Sequence, residues 1–396
     1  MASSTHPLNQ VQPDLFNEDL WEWIIEHEAF SVSDLRLKYG TAEPYHSAIA
    51  QIEAKKKYAS KFKSLFEEQW IFPAGLALEQ SSSLATASYK SSLLATPYSA
   101  DLCAGMGIDS RALSLRDECK RHLCFEQNQG LAALLQHNLK KSTIVPTPFE
   151  LKTLENWIKE NNVHQSELTV YLDPDRRVNK TRTFAIEEGT PNLIDIQGDL
   201  LALAARVITK HSPMVDILQC TRKLVGLKRI HVVQHQGECK EILTVQVPGN
   251  KEKPYLTVVE ATSGHSIDHP YPSSFAIPHG PLSNYIIQPS ASLNKSELHD
   301  LLANLHDWKR LGVGNIYTSA TLPETSPFYK IFKVKAAFDS VKKVKLSGDY
   351  AIESIGSKIT ARELRKRLHL KEGRAQKLFY LQNGRTKLIV EGLLIE

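Results

Sequence analysis

The stretch Asp101-Leu102-Cys103-Ala104-Gly105-Met106-Gly107-Ile108-Asp109 decides how the rest of this sequence is read. An extended run over residues 98–102 leads into it, and a helical pattern over 110–116 leads out. A strand that ends in a Gly-x-Gly loop and reopens as a helix is the first unit of a parallel, doubly wound sheet. Gly105 and Gly107 lack a Cβ, so the backbone there can approach a ligand closely.

Outward from this loop the alternation continues. Residues 122–126 read as a second strand and 131–139 as a second helix. Residues 168–172 form a strong strand, 200–205 are helical, 207–209 are a strand, and 214–218 open another helix. Residues 229–234 and 242–247 pair as late antiparallel strands. Upstream, Leu15, Phe16, Leu20, Trp23, Ile24 and Phe30 recur near helical spacing, and Ser31 restarts a helix as a cap. A longer helix follows Pro44, with a basic face at Lys55–Lys57, Lys61 and Lys63 that is either a nucleic-acid contact or a solvated surface. Downstream, residues 250–281 are rich in Pro, Gly, Ser and His and read as a seam. A strand at 285–288, a helix over 296–309 and a strand near 315–318 follow. Thr360-Ala361-Arg362-Glu363 is a capping box opening a helix with Leu364 and Leu368 on its buried face. Asn383-Gly384 between two apolar runs reads as a closing hairpin. The expected fold is α/β: a Rossmann-like domain over 71–250, a helical region over 1–70, and small α+β domains over 251–325 and 326–396.

Glu126 ends the second strand, 19 residues after Gly107, where a carboxylate can accept both hydroxyls of a ribose. Asp101 can accept from a ligand's amino group. The third glycine of a dinucleotide fingerprint is replaced by Ser110, and Asp101 and Asp109 precede the first basic residue, Arg111. That is a poor setting for a pyrophosphate and a suitable one for a phosphate-free sulfonium nucleoside, S-adenosyl-L-methionine. Asp101, Cys103, Ala104, Gly105, Gly107, Asp109, Glu126 and Asn128 are the expected cofactor residues, with Phe149 or Glu150 as candidates beside the adenine.

The acceptor side follows the 168–172 strand as Asp173-Pro174-Asp175-Arg176-Arg177, at the strand end where open α/β sheets bind ligands. Asp173 would orient or deprotonate the acceptor, and Pro174 stiffens the turn. Methyltransferases of nucleic-acid amines carry a second proline and an aromatic here; Asp175 and Arg176 depart from that pattern. Arg176 and Arg177 either clamp a phosphate or carboxylate or pair with local acids. Lys210-His211 follow the next strand as a phosphate contact and a proton relay, or as structural residues. Cys239 lacks the Pro-Cys dipeptide and the base that a C5-methylating nucleophile needs.

Composition sets the outer bounds. The 396 residues allow two to four domains. No run approaches the roughly 18 apolar residues of a membrane span, and residues 1–14 lack a signal-peptide pattern. Five cysteines without zinc spacing or a Cys-x-x-Cys pair lead to the expectation of a cytoplasmic protein with reduced thiols and no metal. The net charge of +4 is unevenly spread: residues 331–396 hold 15 Lys/Arg against 7 Asp/Glu, so they carry +8 and the remainder −4. Such a module is either a polyanion-binding appendage or a solvated basic surface.

Several segments occur in a telling order: Glu79-Gln80-Ser81-Ser82-Ser83 with Thr86, Ala87, Tyr89 and Lys90; then 101–109; then Tyr171-Leu172-Asp173-Pro174-Asp175-Arg176-Arg177; then Lys210-His211-Ser212-Pro213-Met214-Val215-Asp216; then Glu238-Cys239-Lys240-Glu241. Together, from about Ile71 to the end, they resemble the bacterial class I S-adenosylmethionine-dependent methyltransferase family with a ferredoxin-like insert and a C-terminal THUMP-like domain. The resemblance implies a methyltransferase fold and, by the THUMP analogy, transfer or ribosomal RNA as partner. The expected activity is in-line methyl transfer served by Asp173, Pro174, Arg176, Arg177 and Lys210. The family usually has a small residue at Asp175, so the extra acid bears on acceptor binding. Two other readings stay open: an RNA-binding protein with this fold but no turnover, and a methyltransferase of a small anionic metabolite.

Overall fold

The structure, a computed structural model, describes residues 11–40, 42–73, 77–175, 177–178, 181–182, 185–312, 314–384 and 386–395. It divides into two compact units, Met1–Ile230 with Glu241–Pro254, and His231–Lys240 with Tyr255–Glu396.

The first unit begins with helices α1 (Glu18–His27), α2 (Val32–Tyr39), α3 (Tyr45–Glu67), α4 (Ala77–Gln80) and α5 (Leu84–Ser92). The Ser31 hydroxyl accepts from the Asp34 N–H at 3.1 Å, the cap that the sequence predicts. Leu20, Ile24, Leu35, Ile49 and Ile52 are buried together, which holds α1 to α3 as one body. The basic face of α3 is engaged within the chain. Lys55 pairs with Glu28, Lys57 with Glu79, and Lys61 donates to the Leu78 and Ser81 carbonyls.

The sheet follows: β1 (Tyr98–Asp101), α6 (Ile108–Ser114), β2 (Arg121–Phe125), α7 (Gln129–Asn138), β3 (Ser142–Val145), α8 (Leu151–Glu160) and β4 (Leu168–Leu172). A ribbon of β5 (Arg177–Val178) and β6 (Thr181–Arg182) precedes α9 (Leu193–Leu203), β7 (Arg206–His211), α10 (Ile217–Lys223), β8 (Leu227–His235) and β9 (Glu238–Gln246). The strand order is β3-β2-β1-β4-β7-β9-β8. The strands from β3 through β7 are parallel and β9 runs antiparallel to β7, with Lys210 opposite Leu243. After β1 the chain winds toward β3, and from β4 it winds the other way. That reversal opens a crevice beyond the carboxyl ends of β1 and β4. β4 is buried along its whole length, as an interior parallel strand requires.

Several elements have no counterpart in the sequence reading, among them α5, β3 and α8. β3 is the sheet's edge and is mostly half-exposed, so it lacks the apolar run that marks β4. α8 buries only Leu154 and Trp157. The helix expected over 214–218 starts later, because Asp216 is its cap (Oδ1 accepts from the Leu218 N–H at 2.9 Å) and Met214 lies exposed before it.

In the second unit, β10 (Tyr255–Glu260) and β11 (Ser266–Pro270) pair antiparallel, so strands occupy the stretch read as a seam. Beyond them lie β12 (Tyr285–Pro289), α11 (Ala291–Lys295), α12 (His299–Leu305), β13 (Lys309–Arg310), β14 (Tyr317–Ser319), β15 (Tyr329–Phe338), β16 (Asp349–Ile355), α13 (Ala361–Leu368), β17 (Lys371–Asn383) and β18 (Thr386–Leu394). The helix expected over 296–309 is the shorter α12, and a break at Glu297, with a left-handed φ of 61°, separates it from α11. One seven-stranded sheet, β13-β14-β12-β15-β18-β17-β16, draws strands from both sides of residue 325. The Thr360–Glu363 capping box forms in both directions, at 3.2 and 2.8 Å. The closing hairpin pairs Asn383 with Thr386. No described helix is long and apolar enough to cross a membrane, and the five cysteines are free thiols.

Candidate functional site

β1 delivers Asp101 to the head of the crevice, where it is 1% exposed. Its Oδ1 accepts from the Cys103 N–H at 3.0 Å and its Oδ2 from the Ser110 hydroxyl at 2.6 Å. Burial nevertheless pushes its carboxyl up to about 7, a shift that these two hydrogen bonds oppose and the charges of Asp109 and Asp173 reinforce. β2 delivers Glu126, whose oxygens accept from the Gly105 N–H at 2.8 Å and the Asn128 N–H at 2.7 Å. The Asn128 side chain caps α7, accepting from the Leu131 N–H at 3.1 Å.

The two loop glycines serve different needs. Gly105 has a φ of 56° and open space where a Cβ would stand, so the loop leaves room on that side. Gly107 has a φ of 83°, and a Cβ there would lie 2.3 Å from Leu135 Cδ2 of α7, which is itself fully buried. Its smallness therefore serves the packing of the loop on α7, where sequence reasoning had assigned it to ligand approach. Gly107→Ala is expected to lower stability by about 2 kcal/mol, combining overpacking with left-handed strain. A urea titration that finds no loss would refute this reading of the position.

Cys103 and Ala104 lie in the same loop, the Ala104 N–H donating to the Phe125 carbonyl at 2.9 Å. The Cys103 thiol is pushed well up, first by burial and then by the surrounding charges of Asp101, Asp173, Glu126 and Asp175. Four carboxylates thus lie close enough to the loop to act on this thiol. Phe149 stands edge-on to Phe125, with ring centroids 5.4 Å apart.

On the acceptor side, Asp173 follows β4 and Lys210 is near the end of neighbouring β7; Lys210 Nζ lies 2.6 Å from Asp173 Oδ2. Both reach the crevice, with side chains 27% and 11% exposed. Pro174 is buried against Gly189, and Asp175 exchanges two backbone hydrogen bonds with Thr190, at 3.0 and 2.8 Å. Arg176 lies outside the described residues, as does the side chain of Arg177. His211 is buried with Nε2 2.8 Å from the Thr244 hydroxyl, and Cys239 belongs to the second unit.

Behind Lys210 lies a buried network whose members are far apart in the sequence. Lys90 of α5, fully buried, is 2.9 Å from Asp109 Oδ1 and 3.0 Å from Glu241 Oε1 of β9. It also donates to the Ser82 hydroxyl at 2.7 Å. Asp109 Oδ2 accepts from Ser82 at 2.9 Å and from Tyr171 of β4 at 2.7 Å. Asp109, expected to line the ligand, is thus engaged in this network. Burial disfavours its ionised form, but the ammoniums of Lys90 and Lys210 outweigh that and hold its carboxyl below the usual range. Glu241 shares the same Lys90 without the Ser82 and Tyr171 donors; burial wins there and raises its carboxyl. For Lys210, burial opposes the charged form, and the charges of Asp173, Glu241 and Asp109 overcome it, so its ammonium is held above the ordinary lysine range.

Carboxylates surround the loop, Glu126 follows β2 with its oxygens on the Gly105 and Asn128 N–H groups, and among the described residues Lys90 and Lys210 are paired with carboxylates. A separate concavity of about 470 Å³, lined by Trp21, Trp70, Arg111 and His137 among others, includes none of these crevice residues.

Among solved structures, the fold matches a crystal structure from Porphyromonas gingivalis W83, proposed to be a methyltransferase, with a TM-score of 0.81 at 22% identity. The match covers 96% of this chain and 100% of that one. A proposed RNA methyltransferase from Pyrococcus horikoshii matches at 16% identity and a TM-score of 0.28, over 50% of this chain and 98% of its own. A proposed methyltransferase from Streptococcus mutans, solved with SAH, matches at 15% identity and a TM-score of 0.27, over 40% and 93%. No family model and no curated protein matches the chain. The fold is a Rossmann-like methyltransferase fold, on the strength of the first of these structures and the sheet order above.

Proposed function

We propose that this chain is an S-adenosylmethionine-dependent methyltransferase acting on RNA, transfer or ribosomal. The observation that carries the donor is the cluster of carboxylates around the Gly105 loop, where Asp101, Glu126, Asp173 and Asp175 act together on Cys103. A phosphate-free cation suits that field and a pyrophosphate does not. Asp101 would hold the donor's ammonium, Glu126 its ribose hydroxyls, and the Cys103, Ala104 and Gly105 backbone its flank. When bound, the donor supplies an electrophilic methyl group on a sulfonium. Asp173 and Lys210, in contact at 2.6 Å, would then position the acceptor and manage its proton. Arg176 and Arg177 are proposed to hold the acceptor's phosphate.

RNA is supported by charge. Residues 331–396 carry +8, and on α13 Arg362, Lys366 and Arg367 are exposed. Such binding should weaken steeply with salt. Incubating the protein with labelled methyl donor and undermethylated total RNA tests the proposal. Donor binding without transfer to any RNA overturns it, and transfer to small carboxylates instead would favour the metabolite reading.

Donor affinity should depend on pH through Asp101. Its carboxyl takes up a proton near pH 7 in the free protein, and only the ionised form attracts an ammonium. Lowering the pH from 8 to 6 should therefore weaken binding, by about tenfold per unit below 7. Calorimetry over that range checks it, and a flat Kd would rule out Asp101 as the ammonium's partner.

A further inference from the structure

Four charged side chains from four elements stand in alternating sign behind the crevice: Asp173 after β4, Lys210 on β7, Glu241 on β9 and Lys90 on α5. The series runs from the partly exposed Asp173–Lys210 pair at 2.6 Å to Lys90, which is fully buried. A buried ion pair is a poor device for stability, since hydrophobic residues of similar volume serve at least as well. Here the inner carboxylates have a visible effect: against burial, Glu241 and Asp109 add to Asp173 itself in keeping the Lys210 ammonium charged.

An ammonium in hydrogen-bond contact with the acceptor-side carboxylate discriminates between acceptor atoms. A base amine offers N–H groups and gains positive charge as a methyl arrives, so it would face Lys210 as a like charge and compete with it for Asp173. A hydroxyl has the complementary form: it donates to the carboxylate, accepts from the ammonium and becomes more negative as its proton leaves. The turn after Pro174 is consistent with this, because its backbone is tied to Thr190 and Asp175 stands where a base-stacking enzyme carries a proline. Resting on the proposed action on RNA, we infer that the acceptor is the ribose 2′-hydroxyl, with Asp173 and Lys210 contacting it and Glu241 and Lys90 positioning Lys210. The hydroxyl oxygen bonds to the methyl carbon as the carbon–sulfur bond breaks, its electron pair staying on sulfur. The hydroxyl proton passes to Asp173 and then to water, while Lys210 donates a hydrogen bond to the oxygen throughout.

The test uses the full-length protein, S-adenosylmethionine labelled in its methyl group, and unmodified transfer and ribosomal RNA transcripts. The labelled RNA is hydrolysed in alkali and its nucleosides are identified by mass spectrometry. The expected label sits on ribose, in alkali-resistant dinucleotides, and a 2′-deoxy substitution at the mapped nucleotide abolishes transfer while RNA binding persists. Label on a base overturns the hydroxyl assignment and leaves the RNA reading standing. No transfer to any RNA, with donor binding intact by calorimetry, overturns both. Lys210→Met should lower kcat at least a hundredfold with the donor Kd and the RNA KM within threefold; a full-rate variant removes Lys210 from the chemistry.

Discussion

Asp173→Asn is expected to slow methyl transfer by about a hundred- to ten-thousandfold, the usual loss when a positioned acid–base group is removed. The amide keeps the size and one acceptor oxygen but cannot take the acceptor's proton. The carboxylate ends β4 within contact of Lys210, and its side chain is 27% exposed, so the change falls at the crevice and outside the core. The fold should persist, because Lys210 keeps the influence of Glu241 and Asp109. Donor affinity should change little, since Asp101 and Glu126 hold that ligand under the proposed reading. Single-turnover transfer and calorimetry on the same preparation separate the two effects. A rate within threefold of the parent would exclude Asp173 as the acid–base residue and favour a protein that binds without turnover.

Lys90→Met should destabilise the first unit strongly, by about 3–5 kcal/mol, the cost of removing one partner from a buried ion pair. Lys90 is fully buried, and both Asp109 and Glu241 rely on its charge. Methionine fills the volume but leaves two nearly buried carboxylates without the cation that contacts both, and with only the ammonium of Lys210 acting on them. Against a typical total stability of about 5–15 kcal/mol, that is a large fraction. The direction with pH follows from the carboxylates. Without Lys90 the lowered Asp109 carboxyl moves up and the already raised Glu241 carboxyl rises further, so the variant is weakest at neutral pH and recovers as acid protonates them. Adding Asp109→Asn and Glu241→Gln should restore most of the loss, because neutral groups need no counter-ion. Urea unfolding at two pH values checks all three statements, and a cost below about 1 kcal/mol for Lys90→Met would mean that water reaches the network.

The sequence by itself determined the α/β alternation, the loop at 101–109 and the two carboxylates, Asp101 and Glu126, that end adjacent strands. These are legible because they are local. A strand's apolar run, a cap such as Ser31 or Thr360, and a glycine before a helix all act within a few residues. Where local signal is weak the sequence is silent: edge strand β3 has little to bury, and the break at Glu297 has no proline or glycine to announce it. The loop itself held a division that only packing could draw. Gly105 faces open space, whereas Gly107 and Asp109 turn inward, to Leu135 and to Lys90. Only the tertiary structure brought Ser82, Lys90, Asp109, Tyr171, Lys210 and Glu241 to one place. Lys90 and Glu241 lie 151 residues apart in sequence, and no spacing rule joins them. Their partnership is decided by burial: once α5 and β9 exclude water from these groups, each charge must find its opposite.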